Sequence, residues 1–164
     1  MLTRLLKHLT SPGWWARRAF RADDLAAIAA EVKLSERRHR GEIRIAIEGP
    51  LPLRSLLRRE SCRARAATLF NTLGVAGTRE ANGILVYVQL VDRRVEILAD
   101  NGIASRVEAS EWETVCRQMD TAFARREYRS GMLAAIARIG SLLAAHFPAT
   151  GDNPNELDDA PTML

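Results

Sequence analysis

The run Ile84-Leu85-Val86-Tyr87-Val88-Gln89-Leu90 limits the possible folds of this chain more than any other stretch. It is too short for a helix buried on every side and is rich in β-branched and aromatic residues, so it reads as a strand covered on both faces. Such a strand needs a layer above it and a layer below it. Glu42-Ile43-Arg44-Ile45-Ala46-Ile47-Glu48 alternates strictly and puts three isoleucines on one face of a second strand. Between the two, residues 54–73 read as an amphipathic helix. Cys62, Ala66, Leu69, Phe70 and Leu73 form its apolar side, and Arg58, Arg59, Arg63 and Arg65 the other. Strand, helix, strand in that order predicts a right-handed crossover between parallel strands. Val91-Asp92-Arg93-Arg94 then turns the chain into Val95-Glu96-Ile97-Leu98-Ala99, a hairpin partner.

Helices flank this core. Residues 23–40 carry Leu25, Ile28, Ala29 and Val32 at helical spacing, with Asp23 or Asp24 able to cap the start. Ser110 and Glu113 have capping-box spacing before a stripe running to residue 126. A last helix starts near Ser130 and stops at Pro148. The order αβαββαα predicts an α/β fold, a three-layer α/β/α sandwich on a mixed sheet, over residues 23–148. Residues 149–164 hold Gly, Pro, Asn and four acids with little to bury, so an acidic disordered tail is expected.

Residues 1–22 read as a basic amphipathic leader. Leu2, Leu5, Leu6 and Leu9 form one helical stripe, with Arg4, Lys7 and His8 off it. Ser11-Pro12-Gly13 breaks the helix ahead of Trp14-Trp15-Ala16-Arg17-Arg18. Indoles beside guanidiniums suit a headgroup layer, so Trp14, Trp15, Arg17 and Arg18 are candidates for membrane or anion contact. Packing of the same residues on the domain's own surface is the other reading. Residues 1–65 carry 15 basic and 7 acidic side chains, which favours an anionic partner. Aromatics at 5% without a stacking signature argue against nucleic acid. No apolar run approaches the roughly 20 residues of a membrane span. The leader's apolar stretch is broken by charge, so neither a signal peptide nor a transmembrane tail is expected. These readings together predict a cytoplasmic protein, peripheral at most on the inner membrane, and a monomer or weak homodimer.

Few residues suggest chemistry. Cys62 and Cys116 lie on apolar helix faces and read as core thiols. His39, with Glu42 and Arg44 beside a strand end, is either a candidate acid–base pair or a surface ion-pair cluster. Asn82, Asp92 and Asp100 stand at strand ends or turns. If strand 95–99 is antiparallel to 84–90, Asn82 and Asp100 approach one another. Oxygen ligands of this kind suit a hard cation such as Ca²⁺, while Asx turn chemistry explains them more simply.

Several segments in fixed order resemble the TPM domain family, named for a thylakoid-lumen phosphatase-like protein, a photosystem II repair protein and a nematode acetylcholine-receptor modulator. They are Arg65-Ala66-Ala67-Thr68-Leu69-Phe70 with Leu73-Gly74-Val75, Asn82-Gly83 opening the apolar strand, Asp92-Arg93-Arg94-Val95-Glu96-Ile97, Gly102-Ile103, and Tyr128-x-x-Gly131-Met132. Ser35-Glu36-x-x-His39-x-Gly41-Glu42-Ile43-Arg44 is similar to the start of a short bacterial subgroup. The resemblance implies an α/β/α sandwich, with weak acid phosphatase activity and Ca²⁺ binding in some members and membrane-protein maintenance in others. Asn82, Asp92 and Gly102 match the family pattern. Where relatives carry Gly-x-Gly-Leu-Glu, this chain has Asp100-Asn101-Gly102-Ile103-Ala104. Two functions are expected in consequence. The first is a non-catalytic interaction module acting on membrane proteins at the cytoplasmic membrane face. The alternative is a weak Ca- or Mg-dependent acid phosphatase using Asn82, Asp92 and Asp100, with His39 and Glu42 as catalytic candidates.

Overall fold

Four strands in the order β3-β2-β1-β4 form the middle layer of the protein. The computed structural model describes residues 2–150 and 154–164, apart from the side chains of Leu2 and Trp15. Three helices lead in: α1 (Leu2–Thr10), α2 (Trp14–Ala19) and α3 (Ala22–Glu36). Strand β1 (Glu42–Glu48) follows, then α4 (Leu53–Leu57) and α5 (Cys62–Thr72), then β2 (Gly83–Gln89) and β3 (Arg94–Ala99). The short α6 (Asn101–Ala104), α7 (Ala109–Ala124), α8 (Tyr128–His146) and β4 (Thr162–Met163) complete the chain.

Strands β1 and β2 are parallel, with Ile45 opposite Val86, and β2 pairs antiparallel with β3, with Val86 opposite Ile97. The period-two alternation sorts side chains onto two faces. Ile43, Ile45, Ile47, Ile84, Val86 and Val88 pack under α3, α7 and α8 in the larger core. Ala46, Leu85 and Tyr87 point the other way, onto Ala66 and Leu69 of α5. The predicted α/β/α sandwich is therefore the observed one. Gly83 and Gly102 mark close approaches. A Cβ on Gly83 would overlap the Val75 carbonyl, and one on Gly102 the carbonyls of Glu80 and Ala81.

Four expectations change. The helix read over 54–73 is two pieces. Arg59 adopts a left-handed φ of 54°, and Ser61 recaps the chain by accepting from the Ala64 amide at 3.1 Å. Helix α7 starts at Ala109 with Glu108 as its cap, which puts Ser110 inside the first turn.

The tail expected to be disordered is instead held along β1. Arg44 donates to the carbonyls of Asp158 and Ala160 and to the Thr162 hydroxyl, and Glu42 accepts from the Leu157 amide at 3.1 Å. β4 then pairs with Ala46 and Ile47, shielding what would be a bare strand edge. Composition gave no hint of this, because the holding groups lie on a strand over 110 residues upstream.

The fourth change is in α1, whose predicted apolar stripe turns outward at Leu6 and Leu9, with Leu5 half-buried. Arg4 and His8, one turn apart, share the inward face, where Asp92 takes both. Leu6 and Leu9 are left 60% and 61% exposed.

Candidate functional site

Two rims of the sheet and one cavity carry the polar chemistry. At the rim where β1 and β2 begin, His39 is fully buried. Its Nδ1–H donates to the Gly41 carbonyl at 3.0 Å, and its Nε2 lies 3.0 Å from the Ser35 hydroxyl, which leaves Nε2 as the acceptor. Burial lowers the imidazole to about 4, so the ring is neutral at pH 7. His39 also bridges to Pro148, tying the start of β1 to the end of α8. Glu36, in the last turn of α3, accepts from the Ile43 amide at 3.0 Å, and burial lifts its carboxyl to about 8. Burial also raises Glu42, against the Leu157 amide bond, which lowers it. His39 and Glu42, expected at the surface, thus lie inside, while Arg44 stays half-buried.

Asn82 and Asp100 meet at this same rim, as expected from the hairpin. Ile84 pairs with Ala99, and the Asp100 amide donates to the Gly83 carbonyl at 2.9 Å. Asn82 donates its amide NH₂ to the Arg40 carbonyl at 2.9 Å, and its buried Oδ1 has no hydrogen-bond partner. Asp100 caps α6 by accepting from the Asn101 amide at 2.7 Å. Asp92 stands at the opposite rim, beyond the full length of β2 (roughly 20 Å of strand), so the three predicted oxygen ligands do not converge. Calcium takes six to eight oxygens. Asn82 and Asp100 alone do not fit it, and among the described residues no group of three or more His, Cys, Asp or Glu could hold a metal ion.

The rim where β1 and β2 end is where open α/β sheets usually bind ligands. Glu48 accepts two hydrogen bonds from the Arg65 Nε, at 3.1 and 3.2 Å, one from its Nη2 at 2.6 Å, and the Tyr87 hydroxyl at 2.5 Å. Burial, then Glu48, push the Tyr87 hydroxyl up, so it remains protonated and donates. Asp92 accepts from the Arg4 Nε at 3.0 Å, from its Nη2 at 2.7 Å and from the His8 Nε2 at 3.1 Å. Burial works to raise this carboxyl, but the Arg4 and His8 bonds outweigh it and hold the group below the usual carboxylate range. The His8 Nδ1 accepts from the Leu51 amide at 3.0 Å, which fixes its other nitrogen as the donor to Asp92. One carboxylate thereby pins α1 to the β2–β3 turn and to the loop leading into α4.

Beside this rim opens a cavity of about 870 Å³. Val88, Leu90, Phe123 and Tyr128 give it an apolar lining, and Phe123 and Tyr128 also pack with Phe20 at ring distances of 5.2 to 6.1 Å. Its rim carries Arg18, Arg21, Arg93, Arg94 and Arg126, facing Asp24 and Asp120. Of the predicted contact residues, Trp14 and Arg18 line it, Arg17 is exposed outside it, and the Trp15 side chain lies outside the described residues. The sequence reading missed Arg93, Arg94 and Arg126. Each lies in a different segment from Arg18, and no spacing rule connects residues 18, 93 and 126.

A family model described as the TPM domain matches residues 17–142. Among solved structures, the chain is similar to the BA42 protein from the psychrophilic bacterium Bizionia argentinensis, determined by NMR. The identity is 26% and the TM-score 0.78, over 88% of this chain and 95% of that one. No functionally curated protein matches.

Proposed function

The chain belongs to the TPM domain family, and from that premise we propose that it is a non-catalytic interaction module. It docks on an anionic membrane surface through α1, α2 and α4 and meets membrane proteins there. The outward stripe of α1 carries this reading. A short helix normally buries its leucines and solvates its charges. Here Arg4 and His8 are spent on Asp92, and Leu6 and Leu9 stand in solvent. Leu53 and Leu57, one turn apart on α4, are 55% and 66% exposed, and Trp14 on α2 is 60% exposed. The His8–Leu51 bond holds α1 beside the approach to α4.

Charge complements this apolar surface. Besides Arg4, which Asp92 holds, residues 2–22 and 49–59 contain Lys7, Arg17, Arg18, Arg21, Arg54, Arg58 and Arg59 and no acidic side chain. Basic residues near an anionic leaflet contribute about 1 kcal/mol each, and exposed leucines and an indole add interfacial burial. Among the described residues no helix is long and apolar enough to cross a membrane, so the proposed contact is peripheral.

Co-sedimentation with phosphatidylglycerol-containing vesicles and with neutral phosphatidylcholine vesicles tests this. The full chain is expected to sediment with the anionic vesicles alone. Leu6→Glu combined with Leu9→Glu should weaken that binding about tenfold or more while leaving the far-UV spectrum unchanged, because both positions are exposed. Equal, negligible binding of the unmodified chain to both vesicle types would sink the proposal.

A further inference from the structure

We infer that the groove along β1 filled by residues 156–164 is a docking site for an extended segment of another protein, and that the chain's own tail is its displaceable occupant. The segment it fits carries apolar residues where Leu157 and Met163 sit, a basic residue where Asp159 sits and no proline where Pro161 sits. This goes beyond membrane docking and does not depend on it.

The groove reads backbone more than side chains. Arg44, its side chain only 11% exposed, donates to the Asp158 and Ala160 carbonyls. Glu42 accepts from the Leu157 amide at 3.1 Å. The Leu164 amide donates to the Ile47 carbonyl at 2.9 Å, and the Gly49 amide to the Leu164 carbonyl at 3.2 Å. Any extended chain offers such groups. Of the tail's polar side chains, Thr162 accepts from Arg44 at 2.7 Å, Asp158 lies 3.4 Å from it and Glu156 accepts from the Arg79 amide at 3.1 Å. Two apolar anchors complete the fit, one on each face of the sheet. Leu157 packs on the smaller cluster with Ala46 and Tyr87, and Met163 on the larger one that holds Ile47. Main-chain bonds for affinity, with places for spaced side chains, are how sheet edges capture peptides.

The resident tail is a weak strand in this groove. β4 pairs with Ala46 and Ile47, two of the seven residues of β1. Pro161 stands directly before it, and a proline, having no N–H, cannot carry the ladder further. Asp159 is half-buried beside Glu36 and Glu42. Burial raises both of those carboxyls, and the Asp159 charge adds to the rise in each. The tail thus brings a third acid to a spot that already holds two. A segment serving only to seal the edge would do better with a basic residue there and any other residue at 161. A foreign strand with both improvements meets an occupant that gives way to it.

Fluorescence anisotropy tests this on the full chain at pH 7. The probe is a labelled peptide of residues 155–164 carrying Asp159→Lys and Pro161→Thr, with the unaltered peptide for comparison. Saturable binding is expected, about tenfold tighter for the altered peptide. Leu157→Asp in the chain removes the tail's own anchor and should tighten peptide binding about tenfold, because the resident no longer competes. Binding to that variant alone would still support the groove. Asp159→Lys with Pro161→Thr in the chain itself improves the resident and should weaken peptide binding by a similar factor. Leu6→Glu with Leu9→Glu should leave peptide binding intact even where vesicle binding is lost, so failure of the docking proposal shows separately. The inference is overturned by no saturable binding to either the unmodified chain or the Leu157→Asp variant at millimolar peptide. It is equally overturned by an unaltered peptide that binds as tightly as the altered one, or by a chain with the improved tail that binds peptide as well as the unmodified chain.

Discussion

Glu36 and His39, three residues apart where α3 ends, are pushed in opposite directions by the same burial. With its carboxyl at about 8, Glu36 keeps a proton in the folded chain that the unfolded chain releases above about 4.5. Its contribution to stability is complete below about 4.5 and is lost as pH rises through 8. His39, lowered to about 4, refuses a proton that the unfolded chain takes up below about 6.5. Its contribution is complete above about 6.5 and is lost as pH falls toward 4. The two slopes oppose one another from about 4.5 to 6.5, and only that of Glu36 continues above. Glu36→Gln keeps an oxygen for the Ile43 amide and removes the titration. Urea unfolding midpoints should therefore fall between pH 6.5 and 8.5 for the unmodified chain and fall less for the variant. The variant should be the more stable of the two at pH 8. Parallel curves would show that Glu36 does not titrate in this range. None of this was readable from Ser35-Glu36-x-x-His39. The spacing put the residues together, but which side of the sheet's rim they occupied depended on Pro148, more than 100 positions later.

The elements show where local pattern suffices and where it fails. β1, β2 and β3 were legible because their faces are set by alternation within seven residues, and the central run needed no distant partner to declare itself. The orientation of α1 was not, because a helix of nine residues with both leucines and bases has two possible inward faces. Asp92, 88 residues from Arg4, selects the polar one. Asp92→Asn should loosen α1 selectively. The expected cost is about 1–3 kcal/mol, as for a part-buried charged hydrogen-bond set that loses its anion. Amide exchange should quicken in residues 3–10 and little in β2. Uniform acceleration across the sheet would mean that α1 is part of the cooperative core. Arg44 gives the matching test at the other end. With its carbonyl and hydroxyl acceptors along residues 158–162, Arg44→Ala should expose the Leu157 and Leu164 amides to exchange while leaving β2 protected. Unchanged protection of those two amides would mean that the Glu42 bond and β4 pairing hold the segment without Arg44.

The whole molecule is electrically lopsided. Its acid-free segments, α1, α2 and α4, belong to the same end as the five-arginine rim, so the proposed docking would weaken with ionic strength. The screening length is about 10 Å at 0.1 M salt, and vesicle binding should fall steeply between 0.05 and 0.5 M, values on the order used to screen such contacts. Binding that survives high salt would instead point to the leucines alone. The charge imbalance was visible in the sequence, since it needs only counting. The cavity rim was not, because it exists only after a helix end and two separated turns fold toward one another. Asn82, Asp92 and Asp100 were placed at different rims for the complementary reason: being near strand termini does not say which terminus.

Asp92 and Arg93 are consecutive, yet one fastens the first helix and the other overhangs the cavity. Surface hairpins usually accept an added or deleted residue without complaint. Here a one-residue slip would swing both side chains away from their tasks together. Two surfaces that look independent therefore share a single fixing, and changes in the length of this turn are closed to the chain unless both are given up.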